Sequence, residues 1–163
     1  DQFGRSIGFA SPCGKNIEEL ASKSSNYVTL PYSVKGNDVS FSGLLSATKS
    51  VAKKSKIDAC YSLQETAFAM IAESVERALS FTNKKELMIV GGVAANKRLS
   101  EMLKDVCKRH GCKFFVVPLQ YAGDCGSQIC WTGILESKVK EGVLLKNTFV
   151  TQSWRLDSVK IDY

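Results

Sequence analysis

The clearest pattern along this chain is a short apolar segment that ends at two glycines and is followed by an amphipathic helix. Residues 86–90 form an apolar run that stops at Gly91-Gly92, as a buried strand does. After Asn96, apolar side chains recur at helical spacing on one face, at Leu99, Met102, Leu103, Val106 and Cys107. Glycine lets a ligand approach the backbone, and a helix start supplies unpaired N–H groups. The pattern predicts strand, turn and helix. It leaves open whether the turn holds a nucleotide or only links two core elements.

The same reading extends to the rest of the chain and predicts alternating helices and strands. Predicted helices cover residues 1–7, 16–23, 43–53, 57–81 and 126–138; predicted strands cover 32–34, 39–41, 113–117 and an edge strand within 154–161. Asn16 is the expected N-cap of the second helix, with Glu18 and Glu19 in its first turn. Gly111 is the expected helix terminator before residues 113–117. Strands that alternate with helices indicate an α/β layer architecture.

The longest predicted helix carries an apolar stripe that we expect to face the core. Its members are Cys60, Leu63, Ala67, Met70, Ile71, Ser74, Val75 and Ala78. The chain has six cysteines, without a Cys-x-x-Cys pair or the spacing of a zinc site. Cys60 and Cys107 fall at apolar helix positions and are predicted to be buried thiols, which indicates a reducing compartment.

Composition changes this picture only slightly. With 163 residues, 44% hydrophobic and 23% charged, the chain is typical of one globular domain. The net charge of +6 favours an anionic partner such as RNA, and a mildly basic protein without a nucleic-acid role is the alternative. The run Lys49, Lys53, Lys54 and Lys56 is either a solvated helix end or a contact for phosphates.

The sequence also bears on the cellular location of the protein and on whether the chain is part of a longer one. We find neither a signal peptide nor an apolar run long enough to cross a membrane. The expected location is cytoplasmic, with the nucleus as the alternative. The chain begins with Asp1 inside a helix pattern, so we expect it to be a fragment of a longer protein.

Four segments resemble, in the same order, the motifs of one family. Residues 91–96 with Arg98-Leu99 resemble its nucleotide-binding signature, residues 122–126 its metal-binding segment, residues 40–44 its Ser-Phe-Ser-Gly box, and residues 1–21 its ribose-holding segment. The family is the universal tRNA threonylcarbamoyladenosine transferases, formerly called O-sialoglycoprotein endopeptidases or glycoproteases. Residues 154–159 are similar to its archaeal and eukaryotic branch, whose members work in the KEOPS complex.

The resemblance implies a fold and an activity. The implied fold is a ribonuclease-H-like lobe of the actin-like, sugar-kinase-like ATPase fold, with residues 1–163 as the second, C-terminal lobe and the N-terminal lobe absent. The implied reaction moves the threonylcarbamoyl group from its adenylate to N6 of adenosine 37 in ANN-decoding tRNAs. The implied partners are tRNA and KEOPS subunits, including a small protein-kinase-like subunit. The implied ligands are the adenylate or another adenine nucleotide, and one divalent metal ion, iron or zinc.

The resemblance also implies roles for nucleotide-binding residues. Asp1, Gly14 and Glu18 would hold the ribose, and carboxylates suit a diol because each can accept two hydroxyl hydrogens. Gly91 and Gly92 would form the wall under the adenosine and phosphates, and Asn96 would hydrogen-bond the nucleotide. The alternatives are an N-cap for Asn96 and a favourable first-turn acid for Glu18. Cys13 stands where the family has glycine, so the turn before Gly14 is expected to sit differently.

One metal ligand is implied in this chain. Asp124 matches the family's metal-binding aspartate, with an N-cap as its alternative role. Cys125 replaces the family's asparagine, which puts the surroundings of the ligand in doubt. The family's other ligands, a His-x-x-x-His helix and a tyrosine, belong to the first lobe. His110 is the only histidine and is predicted to be a C-terminal helix cap, so we expect the fragment to be metal-free or nearly so.

Three rival functions remain open at the level of sequence. A sugar or acetate kinase of the same superfamily would share the strand, glycine turn and helix, but we find no phosphate loops or catalytic base for it. A metalloprotease lacks its His-Glu-x-x-His motif here. A non-catalytic module that binds KEOPS partners would differ from the transferase by failing to bind the adenylate. We assign no catalytic nucleophile in this chain.

Overall fold

The computed structural model describes residues 1–123, 125–155 and 158–159. The chain divides into two compact units, Asp1–Gly123 and Asp124–Tyr163. The helices are α1 Gln2–Ser6, α2 Gly14–Ala21, α3 Ser42–Ala52, α4 Lys56–Thr82, α5 Lys97–Arg109 and α6 Gly126–Glu136; the strands are β1 Val34–Lys35, β2 Asp38–Val39, β3 Glu86–Ile89 and β4 Lys113–Val116. Short 3-10 turns cover Gly92–Ala95, Leu119–Tyr121 and Leu145–Asn147.

The predicted strand, turn and helix form a β-α-β unit in the first compact unit. Strands β3 and β4 are parallel, with Glu86 opposite Lys113 and Ile89 opposite Val116. Helix α5 crosses between them and packs against β4 and α4. Leu99, Leu103, Val106 and Cys107 are buried, as the apolar pattern predicted. The strand ends one residue earlier than predicted, and the predicted mixture of helices and strands is confirmed.

Helix α4 is the central helix of the first unit, because α2, α3 and α5 pack against it. Three buried clusters follow one another along it: Ala59 and Cys60 lie with α1 and α2, Met70 with α3, and Leu79 with α5. Within its predicted inward stripe, only Cys60 and Met70 are fully buried, and the other six members are half-buried. The predicted stripe was incomplete. Its Leu63, Ala67 and Val75 pack against the buried clusters. Because α2, α3 and α5 all pack against this helix, residues outside the stripe are buried as well.

Two buried polar side chains of α4 were missed by the apolar pattern. Ser62 Oγ accepts a hydrogen bond from the Val28 N–H at 2.8 Å, and Thr66 Oγ1 lies 3.0 Å from the Tyr27 hydroxyl. Asp58 accepts from Ser24 Oγ and Asn26 Nδ2, and these bonds lower the pKa of the Asp58 carboxyl. These hydrogen bonds attach residues 24–28, the irregular segment after α2, to helix α4.

Helix α2 begins earlier than predicted. It starts at Gly14 with Cys13 at the N-cap position, so the prediction of Asn16 as its cap was wrong. The reason is tertiary: the Asp1 carboxylate accepts the Cys13 N–H at 2.8 Å and fixes the chain before Gly14. Cys13 is fully buried, and its side chain lies where a Cβ on Gly4 would clash at 2.3 Å. Cys13, which stands where the family has glycine, therefore fills a space that Gly4 leaves open.

The predicted hairpin exists but is shorter. Val34 pairs with Val39 and Lys35 with Asp38, so the turn is Gly36-Asn37. Beyond the two-residue strands, the Ser40 N–H still donates to the Ser33 carbonyl at 3.1 Å. The predicted helix end at Gly111 is confirmed by its φ of +62°, and α4 ends with Asn83 as its C-cap at φ +53°. The predicted edge strand within residues 154–161 falls partly outside the described residues. Among those that are described, none of the helices is long and apolar enough to cross a membrane.

Candidate functional site

The centre of the candidate site is the turn between β3 and α5, residues 91–96. Gly91 has φ +87°, a conformation that favours glycine, and Gly92 opens a 3-10 turn. No described atom lies within 4 Å of a Cβ built on Gly91 or Gly92. Val93 is 63% exposed. The surface beside both glycines is therefore open to a ligand, and packing within the described chain does not require glycine at position 92.

Asn96 is an N-cap, which was the alternative to its implied nucleotide role. Its Oδ1 accepts from the Leu99 N–H at 3.2 Å, and its Nδ2 donates to Gln64 Oε1 at 3.1 Å. An amide carries two donor hydrogens and two acceptor lone pairs, so half of this capacity remains for a ligand. The nucleotide role of Asn96 stays a prediction.

Glu18 reaches the same turn from α2. Its Oε1 accepts from the Lys97 N–H at 3.0 Å, a contact between residues 79 positions apart. Because α2 begins at Gly14, Glu18 is not in the first turn of its own helix, and the reading of it as a first-turn acid was wrong. It instead places a carboxylate at the N-terminus of α5, where a helix has unpaired N–H groups and a positive dipole end.

Asp1 and Gly14 form the other side of the site. The Asp1 carboxylate accepts from the Cys13 N–H at 2.8 Å and from Ser11 Oγ at 2.7 Å. Gly14 begins α2 without a described atom within 4 Å of its Cβ position. The aspartate is therefore held at the turn before α2, and its implied contact with a ribose stays a prediction.

A groove of about 550 Å³ connects three of the four sequence motifs. It is bordered by the start of α1, the start of α3, the inner face of α4 and Val93 of the glycine turn. Its lining residues are Asp1, Gln2, Phe3, Phe41, Ser42, Leu44, Leu45, Leu63, Ala67 and Val93. Mostly apolar walls with a few polar groups are typical of small-molecule sites.

A second groove, of about 460 Å³, lies against the same turn and the end of β4. Ala94 and Ala95 border it, together with Lys97, Ser100 and Lys104 from α5. Sequence reasoning missed these three residues, although their i, i+3, i+7 spacing places them on one helix face. The glycine turn thus borders one groove through Val93 and the other through Ala94 and Ala95.

The helix that follows the turn is anchored to α4 by an ion pair. Arg98 Nε and one terminal nitrogen bond the two carboxylate oxygens of Glu65 at 2.7 and 2.8 Å. This fork-like contact raises the pKa of the Arg98 guanidinium. With Gln64 on Asn96, it fixes the start of α5 against its neighbour.

The predicted metal ligand cannot be located in the described part of the chain. Asp124 lies outside the described residues, and Cys125 occupies the N-cap position of α6. Among residues 1–123, 125–155 and 158–159, no group of three His, Cys, Asp or Glu side chains could hold a metal ion. His110 is the C-cap of α5, as predicted, and its Nε2 lies 3.0 Å from Glu76 Oε1. The described residues alone do not fit a metal centre.

Comparison with known proteins agrees with these motifs. The family model described as tRNA N6-adenosine threonylcarbamoyltransferase matches residues 1–131. A Methanocella arvoryzae protein of that name is 46% identical over the whole chain, which covers 51% of the relative. A probable bifunctional tRNA threonylcarbamoyladenosine biosynthesis protein of Methanothermobacter thermautotrophicus is 47% identical over the whole chain, which covers 31% of it. The corresponding protein of Methanobrevibacter smithii is 49% identical over 98% of the chain. The chain thus spans about half the length of the first relative and about a third of the others.

Proposed function

Because the chain belongs to the tRNA N6-adenosine threonylcarbamoyltransferase family, we propose that it is the adenylate-binding part of such an enzyme. The complete protein would transfer the threonylcarbamoyl group from its adenylate to N6 of adenosine 37 in ANN-decoding tRNAs. One observation carries the proposal. The Glu18 carboxylate meets the Lys97 N–H directly after the Gly91–Asn96 turn, although 79 positions separate the two residues.

The charges around the turn suggest how an adenylate would lie. A phosphate group is repelled by the Glu18 carboxylate, so it would sit on the open side of Gly91 and Gly92. The ribose, whose hydroxyls donate hydrogen bonds, would face Glu18 and Asp1. The free hydrogen of Asn96 Nδ2 would donate to the nucleotide. These residues bind and orient the adenylate, and holding two reactants in line can itself lower the barrier.

We also propose a ribonuclease-H-like architecture for this chain. The parallel β3-α5-β4 unit supports a ribonuclease-H-like lobe, because such lobes contain parallel strands joined by a crossover helix. Residues 1–163 would be the C-terminal lobe of a longer protein that contains a second lobe. Its partners would be tRNA and the KEOPS subunits of the archaeal and eukaryotic branch, in the cytoplasm or nucleus.

A matched pair of glutamates on α2 tests the adenylate site. In the complete protein, Glu18→Gln keeps an acceptor for Lys97 but removes the charge, and AMP binding by calorimetry should weaken by roughly tenfold or more, the range of a lost charged hydrogen bond. Glu19→Gln is the control, because Glu19 lies next in sequence and points to Lys15 in solvent. Equal AMP affinities for both variants would contradict the proposed site.

We expect the isolated chain to be inactive in tRNA threonylcarbamoylation.

We propose that Asp124 contributes one ligand to a divalent metal, iron or zinc, whose other ligands lie outside this chain. The support is the resemblance of residues 122–126 alone. A carboxylate would supply a hard, negatively charged ligand to such an ion. Elemental analysis of the complete protein should show lower metal content for Asp124→Asn than for wild type, with unchanged melting. Full metal occupancy in the variant would contradict this role.

A further inference from the structure

We propose that four lysines at the junction of α3 and α4 bind the phosphate backbone of the substrate tRNA. This lysine surface consists of Lys49, Lys53, Lys54 and Lys56. The inference rests on the proposed function, since it assigns to that function's RNA substrate a place on this chain.

The lysine surface carries positive charge that the described structure does not neutralise. The sequence has no acidic residue between Asp38 and Asp58. Asp58 itself is occupied by Ser24 and Asn26. All four lysines are exposed, and the ion pairs among the described residues include none of them. Exposed cations without acidic neighbours are the side chains that displace counterions from a nucleic-acid backbone.

The four lysines are held together by three helices. Lys49 lies in the last turn of α3, Lys53 is the C-cap, and Lys56 begins α4. Lys56 Nζ donates to the Ile7 carbonyl at 3.0 Å, which connects the surface to the end of α1. Exposed Arg5 lies in the last turn of α1. Lys53 and Lys54 lie in the short turn between α3 and α4, so the four cations are presented at the junction of these two helices.

Helix α3 connects this surface to the groove of about 550 Å³ that Val93 of the glycine turn borders. Its first residues, Ser42 and Leu44, line the groove, and Lys53 follows its last residue. Eleven residues at a helical rise place the two ends about 16 Å apart. An RNA that delivers one adenosine to the groove carries its neighbouring phosphates over such distances. The anticodon arm is therefore an RNA element of suitable length and charge.

A structural role for the same lysines is the main alternative. Cations near the C-terminus of α3 favour its dipole and would stabilise the helix without any ligand. The two roles differ in what a substitution changes. Loss of a dipole contact lowers the melting temperature, whereas loss of a phosphate contact changes tRNA affinity and its dependence on salt.

Two double variants of the complete protein separate these roles. Lys53→Gln with Lys54→Gln removes two charges from the lysine surface. Lys84→Gln with Lys85→Gln removes two exposed charges at the other end of α4, about 40 Å away for 27 helical residues. The probe is an in vitro transcript of an ANN-decoding tRNA, titrated at several KCl concentrations. AMP binding and thermal melting are measured alongside.

The expected result is specific to one end of α4. The Lys53 and Lys54 variant should lose roughly tenfold in tRNA affinity at low salt, with a log Kd against log salt slope shallower by about 1 per lysine. Its AMP affinity and melting should match wild type, and the Lys84 and Lys85 variant should bind tRNA as wild type does. Equal losses of tRNA affinity in both variants, or no loss in either, would overturn the role of the lysine surface. Normal AMP binding in these variants would leave the proposed function standing. A wild-type protein that binds neither tRNA nor AMP would overturn both.

Discussion

Helix α5 is joined to a strand at each end through a glycine with positive φ, and the two junctions are closed differently. At its C-terminus, the Gly111 N–H bonds the Lys108 carbonyl at 3.3 Å and the Cys112 N–H bonds the Cys107 carbonyl at 2.8 Å. This Schellman pattern satisfies the last carbonyls from within the segment. At its N-terminus, side chains of Glu18, Gln64 and Glu65 come from α2 and α4 to hold the first residues of the helix.

The difference separates a structural turn from a turn that can bind. The C-terminal junction is closed mainly by its own backbone, and Arg109 and His110 also contact Glu76 of α4. The N-terminal junction is held by side chains from two other helices. The space beside its glycines is open, as it is beside Gly111, so these side-chain contacts and not the open space distinguish the two junctions. Fixed backbone beside open space is what a bound phosphate requires, since both glycines let it approach closely. We therefore propose the N-terminal junction as the site, and the C-terminal junction is its matched reference.

The largest effect should come from filling the open surface. Gly92→Leu places a side chain where no described atom lies within 4 Å of the Cβ position, so folding should be unaffected. In the complete protein, AMP affinity should fall about a hundredfold or more, or about 2.7 kcal/mol, because the side chain occupies the adenylate's place. Calorimetry gives the affinity and thermal melting the stability. Unchanged affinity would show that the adenylate does not touch this turn.

The glycines with positive φ should affect stability at both junctions. Gly91→Ala and Gly111→Ala should each cost on the order of 1–3 kcal/mol, because alanine resists φ values of +87° and +62°. Denaturant unfolding measures this cost. AMP affinity of the folded protein should fall only for Gly91→Ala. Loss of AMP binding in Gly111→Ala would remove the distinction between the two junctions.

The cap of α5 should give the smallest effect. Asn96→Ala should cost about 0.5–2 kcal/mol of stability, since it removes the acceptor for the Leu99 N–H. Asn96→Asp keeps the cap, loses the donor to Gln64 and to a nucleotide, and adds a negative charge that repels an anionic ligand. If Asn96 also binds the adenylate, the aspartate variant should melt near wild type yet bind AMP several-fold more weakly, a shift of about 1 kcal/mol. Wild-type AMP affinity in that variant would indicate that Asn96 only caps helix α5.

Sequence reasoning was most successful where a local pattern decides the structure. The apolar spacing of α5, the stop at Gly111 and the capping role of His110 all depend on neighbours within one or two turns. It failed where distant residues decide. Asp1 sets the start of α2 through Cys13, so Asn16 is not its cap, and three helices surround α4, so a single apolar stripe is incomplete. The contact of Glu18 with Lys97 is likewise invisible to periodicity, because it depends on how α2 packs.

The central claim is that the N-terminal junction of α5 binds the adenylate and the C-terminal junction does not. The most direct test is an NMR titration of the complete protein with AMP, using isotope-labelled glycine and assigned amide signals for Gly91, Gly92 and Gly111. We predict large shifts of the Gly91 and Gly92 amides that saturate with the calorimetric Kd, and a Gly111 amide that does not move. Saturable AMP binding that leaves Gly91 and Gly92 unshifted, or shifts Gly111 as strongly, would contradict it.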